Sequence, residues 1–287
     1  METVGFPAWE PHPDVFLLVG LLAASYAVAI VRIGPTRVSA GQPVVTRFQV
    51  GCFASALAAL LVASAWPVHD LGEGYLFSVH MVQHLLYSLV AAPLLLLGTP
   101  AWLARALLAP PWLLGTVRWL TRFFVATIVF NVVVVVTHVP AVVDASLRSG
   151  LTHFGVHTLV LLSSLVVWMP LCSPLPEVPR FPPLLRMVFL FLQSVVPTVP
   201  ASFLTFGERP LYRFYEDVPR VFSISALDDM RFAGLVMKIG AGTVLWVIIA
   251  IVFFRWYSAE EARTGPPRAR GSRASAELDR ELMGLTP

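Results

Sequence analysis

Seven stretches of this chain are apolar at nearly every position, and six of them carry no charged residue: Val15–Val31, Phe48–Trp66, Leu76–Leu97, Phe123–Val139, Thr152–Pro170 and Met187–Phe206. The seventh, Ala233–Phe254, holds one cation, Lys238, in its first turns, where a long stem can snorkel to the interface. None shows the strict apolar–polar alternation of a half-buried strand, and each is close to the roughly 20 residues a helix needs to cross a bilayer. Within lipid only helices or closed barrels satisfy the backbone, and barrel strands are about half this length. The pattern predicts an all-α integral membrane protein, a bundle of seven transmembrane helices occupying residues 1–257.

Composition agrees. Charged residues make up 13% of the 287, and mean hydropathy is +0.75, whereas a soluble domain carries about a quarter charged residues. The net charge of +3 does not point to nucleic acid, because there is one lysine and most arginines lie between the spans or in the tail. Their distribution orients the bundle. With the N-terminus outside, fourteen basic residues face inward (Arg32, Arg37 and Arg47, then Arg105 to Arg122, Arg180 and Arg186, and Arg255 to Arg280) against six outward. The positive-inside rule therefore predicts N-outside and C-cytoplasmic. The leading segment has Glu2, Glu10 and Asp14 and no basic residue, which argues against a cleavable signal peptide.

Between the spans, Gly98–Arg122 carries Trp102, Trp112, Trp119 and Pro110-Pro111, as expected of short amphipathic pieces lying along the inner interface. The outer segment Gly207–Met230 mixes acids, arginines and aromatics and is long enough for a small cap. Residues 258–287 are polar and read as a disordered cytoplasmic tail touching anionic lipid. Cys52 and Cys172 form no CxxC and read as free, structural thiols. Nucleotide-binding glycine loops, HExxH and GxSxG are absent.

The chemistry lies in the histidines. His80 and His84 are four apart, as are His153 and His157, so each pair lies on one face of a helix. In the predicted topology all seven (His12, His69, His80, His84, His138, His153 and His157) fall on the outer side. His84 lies roughly 12 Å in from Leu76, and His157 a similar distance from a helix start near Arg148, so the pairs of the third and fifth spans can meet at one level. Gln83 and Tyr87 extend the polar stripe of the third span, which should face protein rather than lipid. Unpartnered imidazole in an apolar interior costs several kcal/mol, and a metal or a haem is the usual partner. Met81 and Met237 lie at suitable depths to add a thioether, or simply to pack. Asp228 and Asp229, just before the seventh span, suit either helix capping or a metal-directed role. His69 and His138 would complete the site or receive the metal at its mouth.

Several segments together resemble one family. His80-Met-Val-Gln-His84 with Ala92–Pro100, then Thr137-His138-Val-Pro140 with His153 and His157, then Leu227-Asp-Asp-Met-Arg-Phe-Ala-Gly-Leu-Val-Met237, are similar to the signatures of CtaG-type, multi-span cytochrome c oxidase assembly factors. The likeness covers about 48–256. It implies a non-enzymatic factor in a bacterial plasma membrane that binds copper, takes it from an extracytoplasmic donor and supplies it to an oxidase subunit. The metal-site residues implied are His80, His84, His138, His153, His157, Asp228 and Met237. Met230 stands where the family commonly has glutamine, and Lys238 stands where an aromatic is frequent. A cation there would repel a metal at Met237 unless it turns away. The alternatives are a b-type haem ligated by histidines of the third and fifth spans, a metal-dependent intramembrane enzyme using Asp228 or Asp229, and a copper transporter. The inner half lacks the ladder of acids, histidines or methionines that transport would need.

Overall fold

The structure, a computed structural model, describes residues 3–264. A two-residue strand, β1 (Thr3–Val4), is followed by α1 (Pro13–Val28), which winds on through wider and tighter turns to Thr36, and by α2 (Arg47–Ser64). A short helix, α3 (Val68–Gly74), precedes α4 (Phe77–Leu85), which passes through a π-helical stretch, Leu86–Ala91, into α5 (Ala92–Gly98). Next come α6 (Ala101–Leu107), α7 (Pro111–Leu120), α8 (Phe123–Thr137), α9 (Pro140–Leu147) and the long α10 (Gly150–Cys172). The described residues end with α11 (Pro183–Val195), α12 (Thr198–Phe206), α13 (Phe214–Asp217), β2 (Arg220–Val221), α14 (Ala226–Leu235), a second π-helical stretch at Val236–Ala241, and α15 (Gly242–Thr264). β1 and β2 pair in parallel.

The local signals are plain. Proline opens α1, α7, α9 and α11, where its missing N–H costs nothing. Thr46 and Gln49 form a capping box at the start of α2. Pro197 separates α11 from α12, so the sixth predicted span is broken where its prolines fall.

Among the described residues six helical runs are long and apolar enough to cross a membrane: Pro13–Thr36, Arg47–Gly74, Phe77–Gly98, Gly150–Cys172, Pro183–Phe206 and Ala226–Arg263. The fourth predicted span is the exception. It is the 15-residue α8, bent by 81° from α7, and only the two together make a seventh. The extended backbone at Arg122 starts α8 and Pro140 starts the next helix, which leaves α8 about 22 Å long. Two other boundaries move. The second helical run continues past Trp66 to include α3, and α15 extends to Thr264, so part of the expected tail is helix; the rest of it lies outside the described residues.

The centre of the bundle is α4–α5. α2 and α10 pack along α5 and the π-helical stretch before it, and α14 packs on α4. α1 buries none of its own residues and leans on α2, with Tyr26 stacked on Phe53 at 3.7 Å between centroids. At the histidine end, Phe77 and Met81 pack with Tyr212, Tyr215, Met230 and Met237. The expected cap exists there. Tyr212 donates from its hydroxyl to His138 O at 3.1 Å, and Tyr215 donates to Gly72 O. Burial, reinforced by the Asp229 and Glu73 carboxylates, lifts the Tyr215 phenol well above the usual tyrosine range, so it remains a neutral donor.

Gly72 lets α3 lie directly on α4. A Cβ there would stand 2.5 Å from Gln83 Oε1 and 3.1 Å from the His80 backbone nitrogen. Gln83 cannot swing aside, because its Nε2 donates to Ala63 O at 2.7 Å in a fully buried position. Gly72→Ala is expected to cost about 1–3 kcal/mol by overpacking, read as a lower melting temperature of the detergent-solubilised protein. An unchanged melting temperature would show that α3 shifts freely.

Candidate metal centre

The histidine pair of α4 is aimed from the helix start. The first N–H groups of a helix lack partners of their own, and here a residue of another helix supplies them. Asp229 Oδ2 accepts from Phe77 N–H at 2.6 Å, and Oδ1 accepts from Ser78 N–H at 3.1 Å and from its hydroxyl at 2.5 Å. One turn further in, the His80 and His84 rings lie tilted to each other with centroids 4.7 Å apart. The chain then widens into its π-helical stretch, a form that recurs at functional sites. Ser88 Oγ donates to His84 O at 2.6 Å, and Trp168 Nε1 of α10 donates to Ser88 O at 2.6 Å. The two histidine-bearing helices are thus tied together just below the site.

From α10, His157 approaches both rings of α4, at 5.3 Å from His80 and 5.1 Å from His84 between centroids. One ring nitrogen from each of His80, His84 and His157 lies within 4.8 Å of the other two. All three residues are at most 9% exposed. His80 Nδ1, His84 Nε2 and His157 Nε2 have no hydrogen-bond partner. Buried polar atoms are nearly always paired, and an orphan costs about 1–3 kcal/mol. Three buried imidazoles, each with an unpartnered nitrogen and each offering a ring nitrogen within 4.8 Å of the others, fit a metal ion.

The remaining residues expected at the site divide. His153 meets His157 edge to face at 4.0 Å and lies 5.5 Å from His80. Its nitrogens face elsewhere: Nδ1 is 3.3 Å from Ser146 Oγ, and Nε2 is 2.6 Å from Glu73 Oε1. His138 caps α8, with its ring 6.1 Å from that of His84. His138 Nδ1 lies 2.6 Å from Val134 O, and a carbonyl only accepts, so the proton sits on Nδ1 and buried Nε2 presents a lone pair. Met237, in the second π-helical stretch, is buried and lines a cavity of about 80 Å³ together with Met81, His84 and His138. Lys238 turns away, its Nζ 5.5 Å above the Phe206 ring.

Asp228 is not brought to the cluster. Its side chain is 57% exposed, faces Arg231 at 3.7 Å and accepts from Ser225 Oγ at 2.7 Å. The buried carboxylate of this pair is Asp229, which caps α4 and touches no histidine. Sequence reasoning missed Glu73, which stands 2.8 Å from His69 Nδ1 as well as 2.6 Å from His153. The signal was there in the i,i+4 spacing of His69 and Glu73, once residues 68–74 are read as helix instead of loop.

The fold and the site define a multi-pass helical membrane protein with a buried cluster of imidazoles able to hold a metal ion. The family model of the cytochrome c oxidase caa3 assembly factor (Caa3_CtaG) matches residues 24–259, most of the chain. The chain belongs to that family of oxidase assembly factors. No curated relative and no solved structure matches it.

Proposed function

We propose that the protein holds a copper ion between His80, His84 and His157 and delivers it to a subunit of cytochrome c oxidase during assembly. The observation that carries this reading is a set of three buried histidines that each offer a ring nitrogen within 4.8 Å of the others and each keep a ring nitrogen without a hydrogen-bond partner. Imidazole serves copper in either oxidation state, and the absence of thiolate from the set avoids trapping Cu(I) too tightly for release. His138 and Met237, beside the cavity that reaches His84, are placed to take the ion next. The reaction is ligand exchange and needs no covalent catalysis. The asymmetry of the arginines supports a histidine end on the extracytoplasmic side; in this reading the membrane is a bacterial plasma membrane and an extracytoplasmic donor supplies the metal.

An ion suits the space better than haem b. A macrocycle ligated between α4 and α10 would have to occupy the volume that His153 fills, 4.0 Å from His157 and 5.5 Å from His80. Metal analysis of the purified protein tests the proposal. Wild type is expected to carry tightly held copper and no Soret band, and His80→Ala/His84→Ala is expected to lose that copper while keeping its helical circular dichroism. Full copper occupancy in the double variant would overturn the site, and a Soret band in wild type would overturn the choice of metal over haem.

A further inference from the structure

The copper reading uses three histidines, yet all seven form one continuous line. α3 presents His69, Asp70 and Glu73 toward the mouth of the bundle. Glu73 Oε1 stands 2.8 Å from His69 Nδ1 and 2.6 Å from His153 Nε2, and none of these three buried atoms makes an aligned hydrogen bond. The His153 side chain is 6% exposed, whereas His69 and Glu73 are 23% and 26% exposed. His12 lies edge-on to His69 at 4.7 Å, and its Nε2 is 3.1 Å from Asp70 Oδ2. A cavity of about 500 Å³ touches Asp14, His69, Glu73 and His153 and also His157 of the deep triad.

We infer that His69, Glu73 and His153 form a second, shallower metal site that captures a divalent cation and passes it inward, an inference that rests on the deep triad being a copper site. Two imidazoles and a carboxylate make a harder donor set than three imidazoles and favour a divalent ion, Cu(II) in the first instance. His153 is the innermost ligand of the shallow set. Its ring is 4.0 Å from His157, so an ion released by Glu73, His69 and His153 meets His157 next. Only coordination bonds form and break, and the copper keeps its oxidation state. Asp70 and His12 hold the rim of α3 in place and need not touch the ion.

Equilibrium dialysis of the detergent-solubilised full chain against Cu(II) alone, with stopped-flow loading, tests the inference. Wild type is expected to bind two ions per chain, and His69→Ala/Glu73→Gln and His84→Ala/His157→Ala one each. Loading of the deep site is expected to slow several-fold in the first variant. The isosteric single variant Glu73→Gln, checked for an unchanged melt, is expected to show the same slowing. If the His69/Glu73 variants bind and load as wild type does, the shallow site is overturned while the triad stands. If the His84/His157 variant keeps both ions, the triad is overturned instead. A wild type with one ion, lost equally in both double variants, overturns the second site.

Discussion

Alanine at His157 is expected to lower the copper affinity of the solubilised protein by more than about 100-fold, and alanine at His138 by about 10- to 100-fold, the range typical of residues that support ligands rather than bind first. The difference follows from where the rings come from. His80 and His84 share one face of α4 and cannot surround an ion by themselves; His157 closes the set from α10. His138 stands 6.1 Å from His84 and holds only a lone pair in reserve. The apo protein gives a second readout with the opposite sign. Replacing the orphaned ring of His157 with leucine removes an unpaired buried nitrogen, and such a change is neutral or stabilising. His157→Leu should therefore melt at or above the wild-type temperature without copper. Copper at 100 times the dissociation constant of the triad should raise the wild-type stability by about 2.7 kcal/mol through that site, and His157→Leu should lose this part of the shift and keep only what the shallow site contributes. A copper-dependent shift as large as that of wild type in His157→Leu would mean that the ion does not sit in the triad.

How far the chain could be read in advance depended on the range of the interaction. The apolar runs disclosed most of the helices, because a segment of roughly 20 residues must satisfy its own backbone and its composition records this directly. The i,i+4 pairs disclosed His80, His84, His153 and His157 for a similar reason: helical spacing is local. Their meeting across α4 and α10 followed from matching depths. What failed to show was tertiary. Nothing local separates Asp228 from Asp229, and only packing of α14 on α4 sends the second inward and leaves the first facing Arg231. Glu73 was hidden by the end of the hydrophobic run at Trp66. The charged turn that follows is α3; its helical geometry puts Glu73 over His69, and tertiary packing sets it against His153. α8 is shorter than its stretch of valines suggests, because Arg122 and Pro140 set its ends, and it makes a seventh crossing only together with α7.

Asp229→Ala is expected to be the most damaging single change in the chain that touches no proposed ligand. Asp229 is fully buried and accepts from two backbone N–H groups and one hydroxyl at the start of α4. Truncation leaves the buried Phe77 N–H and the half-buried Ser78 donors without partners, at about 1–3 kcal/mol for each unsatisfied group, so a total near 3 kcal/mol is a moderate expectation. That corresponds to a fall of roughly 6–12 °C in the melting temperature of a chain of this size. The consequence extends to the metal. With its cap gone the first turn of α4 frays, His80 lies within that turn and the next, and copper affinity falls although no ligand has been removed. Asp229→Asn keeps an acceptor oxygen at the same place and should fall between wild type and alanine on both measures. Asp228→Ala, exposed and paired only with Ser225 and Arg231, should change stability by no more than about 0.5 kcal/mol and leave copper binding alone. Thermal melts and copper titrations of the three variants separate a carboxylate that positions the histidine helix from one that binds the ion. If Asp228→Ala, not Asp229→Ala, loses copper without loss of stability, the assignment of the two aspartates is reversed.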